Sequence, residues 1–293
     1  MKVLAIGMFD SVHFSGWLKH FQDEDIQFLL FPSSPHRRLT AGLKQLLKND
    51  GRGEFKLATG TKYLGLPMWI LDKALSNRFR SAFVKFLISR FKPDFVHALE
   101  LQNAGYLASR AYEGLTKKRP MLVATNYGSD IYWFSRDPKH SKLISELLGQ
   151  VDRYAAECGR DVELARQLGF SRDVMPVLPN AGGFTRSQLG GELLPVDKRK
   201  LIMVKGYHGW VGRAHIALQA LESISAELQD YEIVVYSCNL STKRLATQVA
   251  KRTGLTITAY SKGALTHDVM VEKFSRSLIY IGLSLSDGIS TSM

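Results

Sequence analysis

Short apolar runs alternate with single amphipathic helices along most of this 293-residue chain. The runs KVLAIG at residues 2–7 and IQFLLF at residues 26–31 have the length and composition of strands, and the segment between them has helical periodicity. Strands separated by one helix each form parallel sheets that are covered by helices on both faces. The alternation therefore predicts an α/β fold.

One segment interrupts the alternation and predicts a domain boundary. Residues 180–200, NAGGFTRSQLGGELLPVDKRK, are rich in glycine and polar residues. We expect two Rossmann-like domains, at residues 1–190 and 198–293, with a linker at about 181–197. Because ligands of open α/β sheets bind at the carboxyl ends of the strands, we expect them in a cleft that the two domains face.

The charge of the chain favours an anionic partner. Lys and Arg number 39 against 27 Asp and Glu, which gives a net charge of +12; nucleic acid, anionic lipid and phosphorylated ligands all fit such an excess. No nucleic-acid recognition motif is present, so nucleic acid ranks below the other partners. The chain lacks an apolar run of about 18 residues and a signal peptide, and its two cysteines match no redox or metal spacing, which predicts a cytoplasmic protein.

Several common catalytic motifs are missing from the sequence. Gly7 and Gly16 are too far apart for a G-x-G-x-x-G loop, and neither a P-loop nor a G-x-S-x-G elbow occurs. A simple dehydrogenase or nucleoside triphosphatase is therefore disfavoured. His, Cys, Asp and Glu are not clustered at metal-ligand spacing, so we expect no metal and no cofactor.

Two stretches of the C-terminal domain could hold a phosphorylated ligand. In VKGYHGWVGRAH, Lys205 follows a strand and Arg213 begins a helix, so both can converge on one anion, although a solvated basic pair in a glycine-rich turn is the alternative. In SLSDGISTSM, Asp287 can accept sugar hydroxyls while the amides of Gly288 and Ile289 hold phosphate. A plain helix cap is the alternative for this second stretch.

Two strand ends of the N-terminal domain carry a second group of candidates. His97 and Glu100 lie at the end of the strand in PDFVHALELQNAGY, where a core histidine and a solvated glutamate are the alternatives. Tyr127, Gly128 and Asp130 follow another strand in TNYGSDIYWF. Polar groups clustered at adjacent strand ends predict a site.

These pieces together resemble the family-four retaining glycosyltransferases of the GT-B fold. The segments KPDFVHALE, NYGSDIYW, VLPNAGGF, VKGYHGWVGRAHIALQAL and RSLIYIGLSLSDGISTSM come in the order of that family. The resemblance implies that Lys205 and Arg213 neutralise the donor diphosphate, in the reverse of the family's usual arginine-then-lysine order. It places Asp287 at the first position of a signature of two glutamates separated by seven residues.

The resemblance also implies roles on the sugar and acceptor side. Tyr127 stands where the family often has a histidine, and Gly128 and Asp130 are retained. Asp10 and His13, in GMFDSVHF, are expected to shape the acceptor side together with His97 and Glu100. The implied reaction is metal-independent transfer with retention, with Asp287, Lys205, Arg213 and Asp130 as the catalytic set.

The resemblance further suggests partners and a location. It implies a nucleotide-sugar donor, a glycan or lipid-linked acceptor, and a role in bacterial surface polysaccharide assembly. Basic residues flank a Phe-rich helix, which suggests peripheral contact with an anionic membrane at the inner face of the plasma membrane: Arg78, Arg80, Lys85, Arg90 and Lys92. The alternative is a core helix with a charged outer face.

The C-terminal domain is short for a Rossmann-like half. It holds fewer than about 100 residues, against roughly 130 to 170 for a full half, and the second signature glutamate would fall two residues beyond Met293. We therefore expect a truncated sequence with an incomplete second domain, whose activity is in doubt. A non-catalytic sugar-nucleotide or glycan-binding relative is the alternative function.

Overall fold

A computed structural model describes residues 1–36, 38–75, 78–115, 119–180 and 194–289. The chain forms two compact units, Met1–Gly182 and Gly183–Met293. Residues 181–193 of the predicted linker lie outside the described residues. The rest of that segment leads into a 3-10 turn at Val196–Lys198.

The first unit is a parallel sheet with helices on both faces. Its described strands are β1 (Lys2–Gly7), β2 (Gln27–Pro32), β3 (Glu54–Leu57), β4 (Phe95–Leu99), β5 (Met121–Thr125), β6 (Arg153–Ala155) and β7 (Asp173–Val174). Its described helices are α1 (Val12–Lys19), α2 (Ala41–Leu46), α3 (Thr61–Ala74), α4 (Phe79–Phe91), α5 (Tyr106–Tyr112), α6 (Ser129–Tyr132), α7 (Pro138–Gln150) and α8 (Gly159–Gln167). A π-helical turn, Leu101–Gly105, joins β4 to α5.

The second unit repeats this plan at smaller size. Its described strands are β8 (Leu201–Lys205), β9 (Glu232–Cys238), β10 (Thr256–Ser261) and β11 (Ser277–Ile281), and its helices are α9 (Ala214–Ser223), α10 (Leu240–Thr253) and α11 (His267–Arg276). The strand orders are β3-β2-β1-β4-β5-β6-β7 in the first sheet and β10-β9-β8-β11 in the second. All described pairings are parallel, which confirms the predicted α/β class.

Both faces of the first sheet are buried, as the continuous apolar strands predict. Along β1, Leu4 and Ile6 join the core on one face, whereas Val3 and Ala5 join the core on the other. This alternation follows from the two-residue period of a strand. Because both faces are covered by helices, ligands of this unit are expected at the edge where the strands end.

The region between β3 and β4 differs from the sequence prediction. The structure contains a helix, α3, that the periodicity did not predict, and the Phe-rich helix α4 buries Val84, Leu87 and Ile88 rather than a face of phenylalanines. Phe86 is 56% exposed. Arg80, predicted on the basic outer surface, is buried, because its guanidinium donates to the carbonyl of Pro32 and its backbone amide donates to Asp72.

None of the described helices has both the length and the hydropathy that a membrane-crossing segment requires.

Candidate functional site

The second sheet has its topological switch point between β8 and β11. The chain leaves β8 toward β9 on one side, while β11 pairs with β8 on the other side. Loops that leave a parallel sheet in opposite directions open a crevice at the carboxyl ends of the two strands. Lys205 is the last residue of β8, and Asp287 follows β11 by six positions.

Lys205 and Asp287 meet at this crevice. The ammonium of Lys205 lies 2.5 Å from Oδ2 of Asp287, and the two side chains are 11% and 30% exposed. The same ammonium lies 5.0 Å from the centre of the Tyr207 ring, and the amide of Leu285 donates to the carbonyl of Trp210 at 3.1 Å. The segment after β11 is therefore fastened to the loop after β8 by an ion pair and a backbone hydrogen bond.

Arg213 lies on the same loop, directly before α9. Its φ angle of 52° is in the left-handed region, which costs a residue other than glycine about 1–2 kcal/mol. Gly206 makes the tight start of the loop possible, because a Cβ there would lie 2.4 Å from the carbonyl oxygen of Tyr236. Among the described residues, no carboxylate pairs with the Arg213 guanidinium, so its charge remains available to an anion.

The tail differs from the helix start that the sequence suggested. The described residues after β11 form bends, and Oγ of Ser284 accepts hydrogen bonds from the amides of Ser286 and Asp287 at 3.3 and 3.2 Å. Gly288 and Ile289 lie in this bend region, and residues 290–293 lie outside the described residues. The described part of the tail thus offers the Asp287 carboxylate, while helix-start amides at Gly288 and Ile289 stay a prediction.

At the edge of the first sheet, Glu100 directly follows β4 and is buried. Its carboxylate accepts from the amides of Asn103 and Ala104 at 2.9 and 2.7 Å, which starts the π-helical turn. Its φ angle of 84° is also left-handed. Burial raises the pKa of this carboxyl group, although the two amides act in the opposite direction.

Asp130 is a second buried carboxyl group at this edge. Its Oδ2 accepts from the amides of Leu101 and Tyr127, both at 3.0 Å, so it links the loops after β4 and β5. Burial and the nearby charge of Glu100 raise the pKa of Asp130 well above its usual range. A buried carboxyl oxygen that accepts from two amides positions the loops that carry them.

Tyr127 and His13 bring the loops after β5 and β1 together. Their ring centres lie 6.1 Å apart. The Tyr127 hydroxyl is buried, has no hydrogen-bond partner among the described residues, and has a pKa raised by burial. The carbonyl of Gly128 accepts a hydrogen bond from the Arg160 guanidinium at 3.1 Å. Asp10, three residues before His13, is exposed.

The structure does not bring His97 to this edge. Its ring lies in the core, 4.7 Å from the centre of the Trp17 ring, and its Nε2 lies 2.6 Å from Oγ1 of Thr125. Burial lowers the pKa of His97 to about 3, so the imidazole is neutral at physiological pH. The other predicted residues of the first unit lie at or next to the strand ends.

Comparisons with known proteins identify the fold. The family described as glycosyl transferase 4-like matches residues 71–155. The chain is similar to the α,α-trehalose 6-phosphate synthase of Burkholderia multivorans, with 12% identity, a TM-score of 0.64, and coverage of 99% of this chain and 79% of that one. The chain has a GT-B fold, and its residues 71–155 are glycosyl transferase 4-like.

Two further solved structures are similar to this GT-B chain. One is UDP-GlcNAc 2-epimerase of Neisseria meningitidis bound to UDP-GlcNAc, with 12% identity, a TM-score of 0.57, and coverage of 96% and 76%. The other is HepE of Anabaena in complex with UDP-glucose, with 14% identity, a TM-score of 0.58, and coverage of 97% and 74%. A comparison with curated protein sequences found no match.

The glycosyl transferase 4-like segment contains Glu100, Tyr127, Gly128 and Asp130, and it ends before the second unit. For residues 71–155 this match confirms the predicted resemblance to family-four glycosyltransferases. Lys205, Arg213 and Asp287 lie beyond the matched residues, so their assignment depends on the geometry of the second unit.

The sequence prediction missed a buried polar network that supports the first site. Asn126 donates to Asp161 at 2.8 Å, Asp161 accepts from Arg160 at 2.7 Å, and Asn180 donates to the Asn126 carbonyl at 2.8 Å. Asn180 lies in the segment VLPNAGGF, whose part in this network no local pattern indicates, and Arg160 and Asp161 lie in the segment CGRD at the start of α8. In the part of the chain that the structure describes, no three His, Cys, Asp or Glu side chains form a group that could hold a metal ion.

Proposed function

We propose that this GT-B protein transfers a sugar from a nucleotide-sugar donor to a glycan or lipid-linked acceptor, with retention at the anomeric carbon, in the assembly of bacterial surface polysaccharide. The observation that carries the proposal is the contact between Lys205 and Asp287 at the switch point of the second sheet. Similar solved structures contain UDP-glucose and UDP-GlcNAc, which supports a nucleotide sugar as the donor.

The loop after β8 supplies the positive charge that a departing diphosphate needs. An ammonium has three donors, so Lys205 can keep its bond to Asp287 and still donate to phosphate oxygens. Arg213 adds a planar guanidinium that can bind two oxygens at once. Fixed charges placed where negative charge develops lower the barrier to transfer, and we propose that these cations do so without a resident metal.

Asp287 orients the transferred sugar in this proposal. A carboxylate has about four lone-pair sites, so that of Asp287 can accept a sugar hydroxyl as well as the ammonium of Lys205. The charge of Lys205 would thus be shared between the sugar-positioning carboxylate and the diphosphate. Orientation of this kind contributes to the rate because the reacting atoms are held close together.

The buried carboxyl groups of the first unit support retention by front-face substitution. Glu100 accepts from the amides of Asn103 and Ala104, and Oδ2 of Asp130 accepts from the amides of Leu101 and Tyr127, so we assign both carboxyl groups to holding the loops rather than to nucleophilic attack. The departing phosphate then takes the proton of the acceptor hydroxyl. We assign Asp10 and His13 to the acceptor side and Tyr127 and Gly128 to the transferred sugar, with Asp130 holding the loop that carries Tyr127.

We also propose that the protein works at the inner face of the plasma membrane, where lipid-linked acceptors are held. Lys85 and Arg90 of α4, and Lys92 directly after it, are exposed, so they can meet anionic lipid headgroups. Arg80 does not contribute to this surface, because its side chain is buried.

A non-catalytic sugar-nucleotide-binding protein is the second candidate. One observation favours it: Tyr127 stands in place of the family's frequent histidine. A binding protein would be stabilised by a nucleotide sugar without consuming it. An epimerase, the activity of one similar structure, would instead convert UDP-GlcNAc without an acceptor.

The test combines binding with turnover. UDP-, GDP- and ADP-sugars are screened by thermal shift, because a ligand selective for the native state raises the melting temperature. The stabilising donor is then followed by NMR, with and without a saccharide acceptor. We expect slow donor hydrolysis and a product with the donor's anomeric configuration; an inverted product excludes retention, and stabilisation without consumption supports the binding protein.

A further inference from the structure

The outward face of α3 is apolar. Leu66, Ile70 and Leu71 on this helix, and Leu75 at its end, are 45%, 56%, 47% and 50% exposed. Pro67 and Ala74, which lie between them on the helical surface, are also exposed. A surface helix of a globular protein usually presents polar residues on this side.

The inward face of the same helix carries its polar anchors. Thr61 and Asp72 are buried, together with Met68, and positions 61, 68 and 72 share one side of a helix. The Asp72 carboxylate accepts from the amide of Arg80 at 2.9 Å and lies in the field of the buried Arg80 guanidinium. This bond holds α3 against the start of α4, so the helix cannot rotate its leucines inward without leaving a buried amide unpaired.

The charge around this apolar face has one sign. Between residues 55 and 93 the sequence contains eight Lys and Arg residues and a single acidic residue, Asp72, which is buried. Among the side chains that the structure describes, the exposed cations of α3, α4 and the residues that adjoin them are Lys73, Arg78, Lys85, Arg90 and Lys92. A second copy of the chain would present the same positive charge, whereas an anionic lipid surface complements it.

We propose that α3 inserts its apolar face into an anionic membrane, with Leu66, Ile70, Leu71 and Leu75 among the acyl chains and Lys73 and Arg78 at the headgroups. This inference deepens the proposed membrane location, on which it rests, and names α3 as the element that enters the bilayer. A helix that lies in the membrane interface binds both by burying its apolar side and by electrostatic attraction of its cations to anionic lipids. Binding should therefore persist in part at salt concentrations that screen the charges.

The test is flotation of the whole chain with two kinds of vesicle, phosphatidylcholine alone and phosphatidylcholine with phosphatidylserine. We expect binding to the anionic vesicles, and a loss of about tenfold or more in partitioning for the double variant Ile70→Ser, Leu71→Ser, since two aliphatic side chains no longer leave water. Ile224→Ser is the matched control, because Ile224 is 46% exposed and lies in the other unit. Its partitioning should equal that of the unchanged protein, and circular dichroism verifies that all variants fold.

Three results would overturn the inference, and they are distinguishable. If the double variant binds anionic vesicles as well as the unchanged protein, while Lys85→Gln, Lys92→Gln loses binding, the membrane location stands and α3 is not the inserting element. If the unchanged protein binds neither vesicle yet transfers sugar to a soluble acceptor, the membrane location falls and the enzymatic proposal stands. If light scattering shows a dimer that the double variant dissociates, α3 covers a second copy of the chain.

Discussion

The carboxyl edges of the two sheets use polar residues in different ways. At the first edge the carboxyl groups of Glu100 and Asp130 are buried and bind backbone amides. At the second edge Lys205 and Asp287 bind each other in a partly exposed position, and Arg213 has no carboxylate partner among the described residues. At the first edge the carboxyl groups bind backbone amides of the same unit, whereas at the second edge the positive charges of Lys205 and Arg213 can still bind an anion.

This difference separates stability from ligand binding. A buried carboxylate that satisfies two amides is costly to remove, because the amides are then left unpaired. A partly exposed ion pair contributes little to stability, about 0–1 kcal/mol. We therefore expect substitutions at the first edge to change mainly the free energy of unfolding, and those at the second edge to change mainly the affinity for ligand.

The largest expected effect on stability is at Asp130. Asp130→Ala leaves the amides of Leu101 and Tyr127 without an acceptor and should lower the free energy of unfolding by about 2–3 kcal/mol. Asp130→Asn keeps an acceptor oxygen and should cost less than half as much. Urea unfolding of both variants measures the difference; equal losses would show that the amide bonds do not carry the effect.

Acid should weaken the fold through His97. Its pKa is about 3 in the folded chain against 6.5 for an ordinary histidine, so the unfolded chain binds a proton first as the pH falls. Stability contributed by the neutral imidazole is complete above pH 6.5 and is lost toward pH 3, at up to about 1.4 kcal/mol per pH unit. His97→Gln should flatten this dependence in urea titrations between pH 7 and 4; an unchanged dependence would contradict the lowered pKa of His97.

The buried carboxyl group of Asp130 should change the free energy of unfolding with pH in the opposite direction to His97. Because the pKa of Asp130 is raised in the folded chain, the native state holds a proton that the unfolded state has released. Stability from this group is present below its ordinary pKa of 3.8 and is lost as the pH rises toward the raised value. Asp130→Asn should remove this loss, so its free energy of unfolding relative to the unchanged chain should improve from pH 4 to pH 8; a constant difference would contradict the raised pKa.

At the second edge, Asp287→Asn should separate binding from transfer. Without the carboxylate, Lys205 gives its full charge to phosphate, so the affinity for free UDP should rise by about three- to tenfold. Transfer should slow, because the sugar loses a strong hydrogen-bond acceptor. Calorimetry measures the affinity for UDP, and initial rates on the same preparation measure transfer. A loss of both affinity and rate would show that Asp287 contributes to diphosphate binding.

The smallest expected effect is at Tyr127. Its buried hydroxyl has no partner among the described residues, so Tyr127→Phe should leave stability unchanged or raise it by up to about 1 kcal/mol. If the hydroxyl binds the transferred sugar, KM for the donor rises while the melting temperature does not fall. A fall in melting temperature would mean that the hydroxyl has a structural partner.

The fold was largely predictable, because the apolar period of a buried strand is visible in the sequence. The KVLAIG and DFVHAL runs became β1 and β4 with the expected parallel pairing. Helix α3 was not predicted, since its leucines face outward and its aspartate faces inward, the reverse of the pattern that periodicity arguments rely on. Arg80 was predicted on the surface because its burial depends on contacts with Asp72 and Pro32, which no local sequence pattern reveals.

The candidate site was predictable in part. Lys205 and Asp287 were named from their positions after strands, and topology brings them together because β8 and β11 are neighbours. Their direct pairing was not foreseen. His97 was assigned to the edge although its side chain points into the core, because the sequence does not show which face of β4 packs against Trp17. The roles of these residues stay predictions.

The central claim is that the crevice between β8 and β11 binds the diphosphate of a nucleotide sugar. Titration calorimetry with UDP on the unchanged chain, on Lys205→Ala and on Lys200→Ala tests it most directly. Lys200 lies at the opposite, amino-terminal end of β8, where its ammonium is 4.8 Å from the centre of the Tyr231 ring. We predict that Lys205→Ala weakens binding by about tenfold or more while Lys200→Ala leaves it unchanged; equal affinities for all three proteins would contradict the placement of the donor.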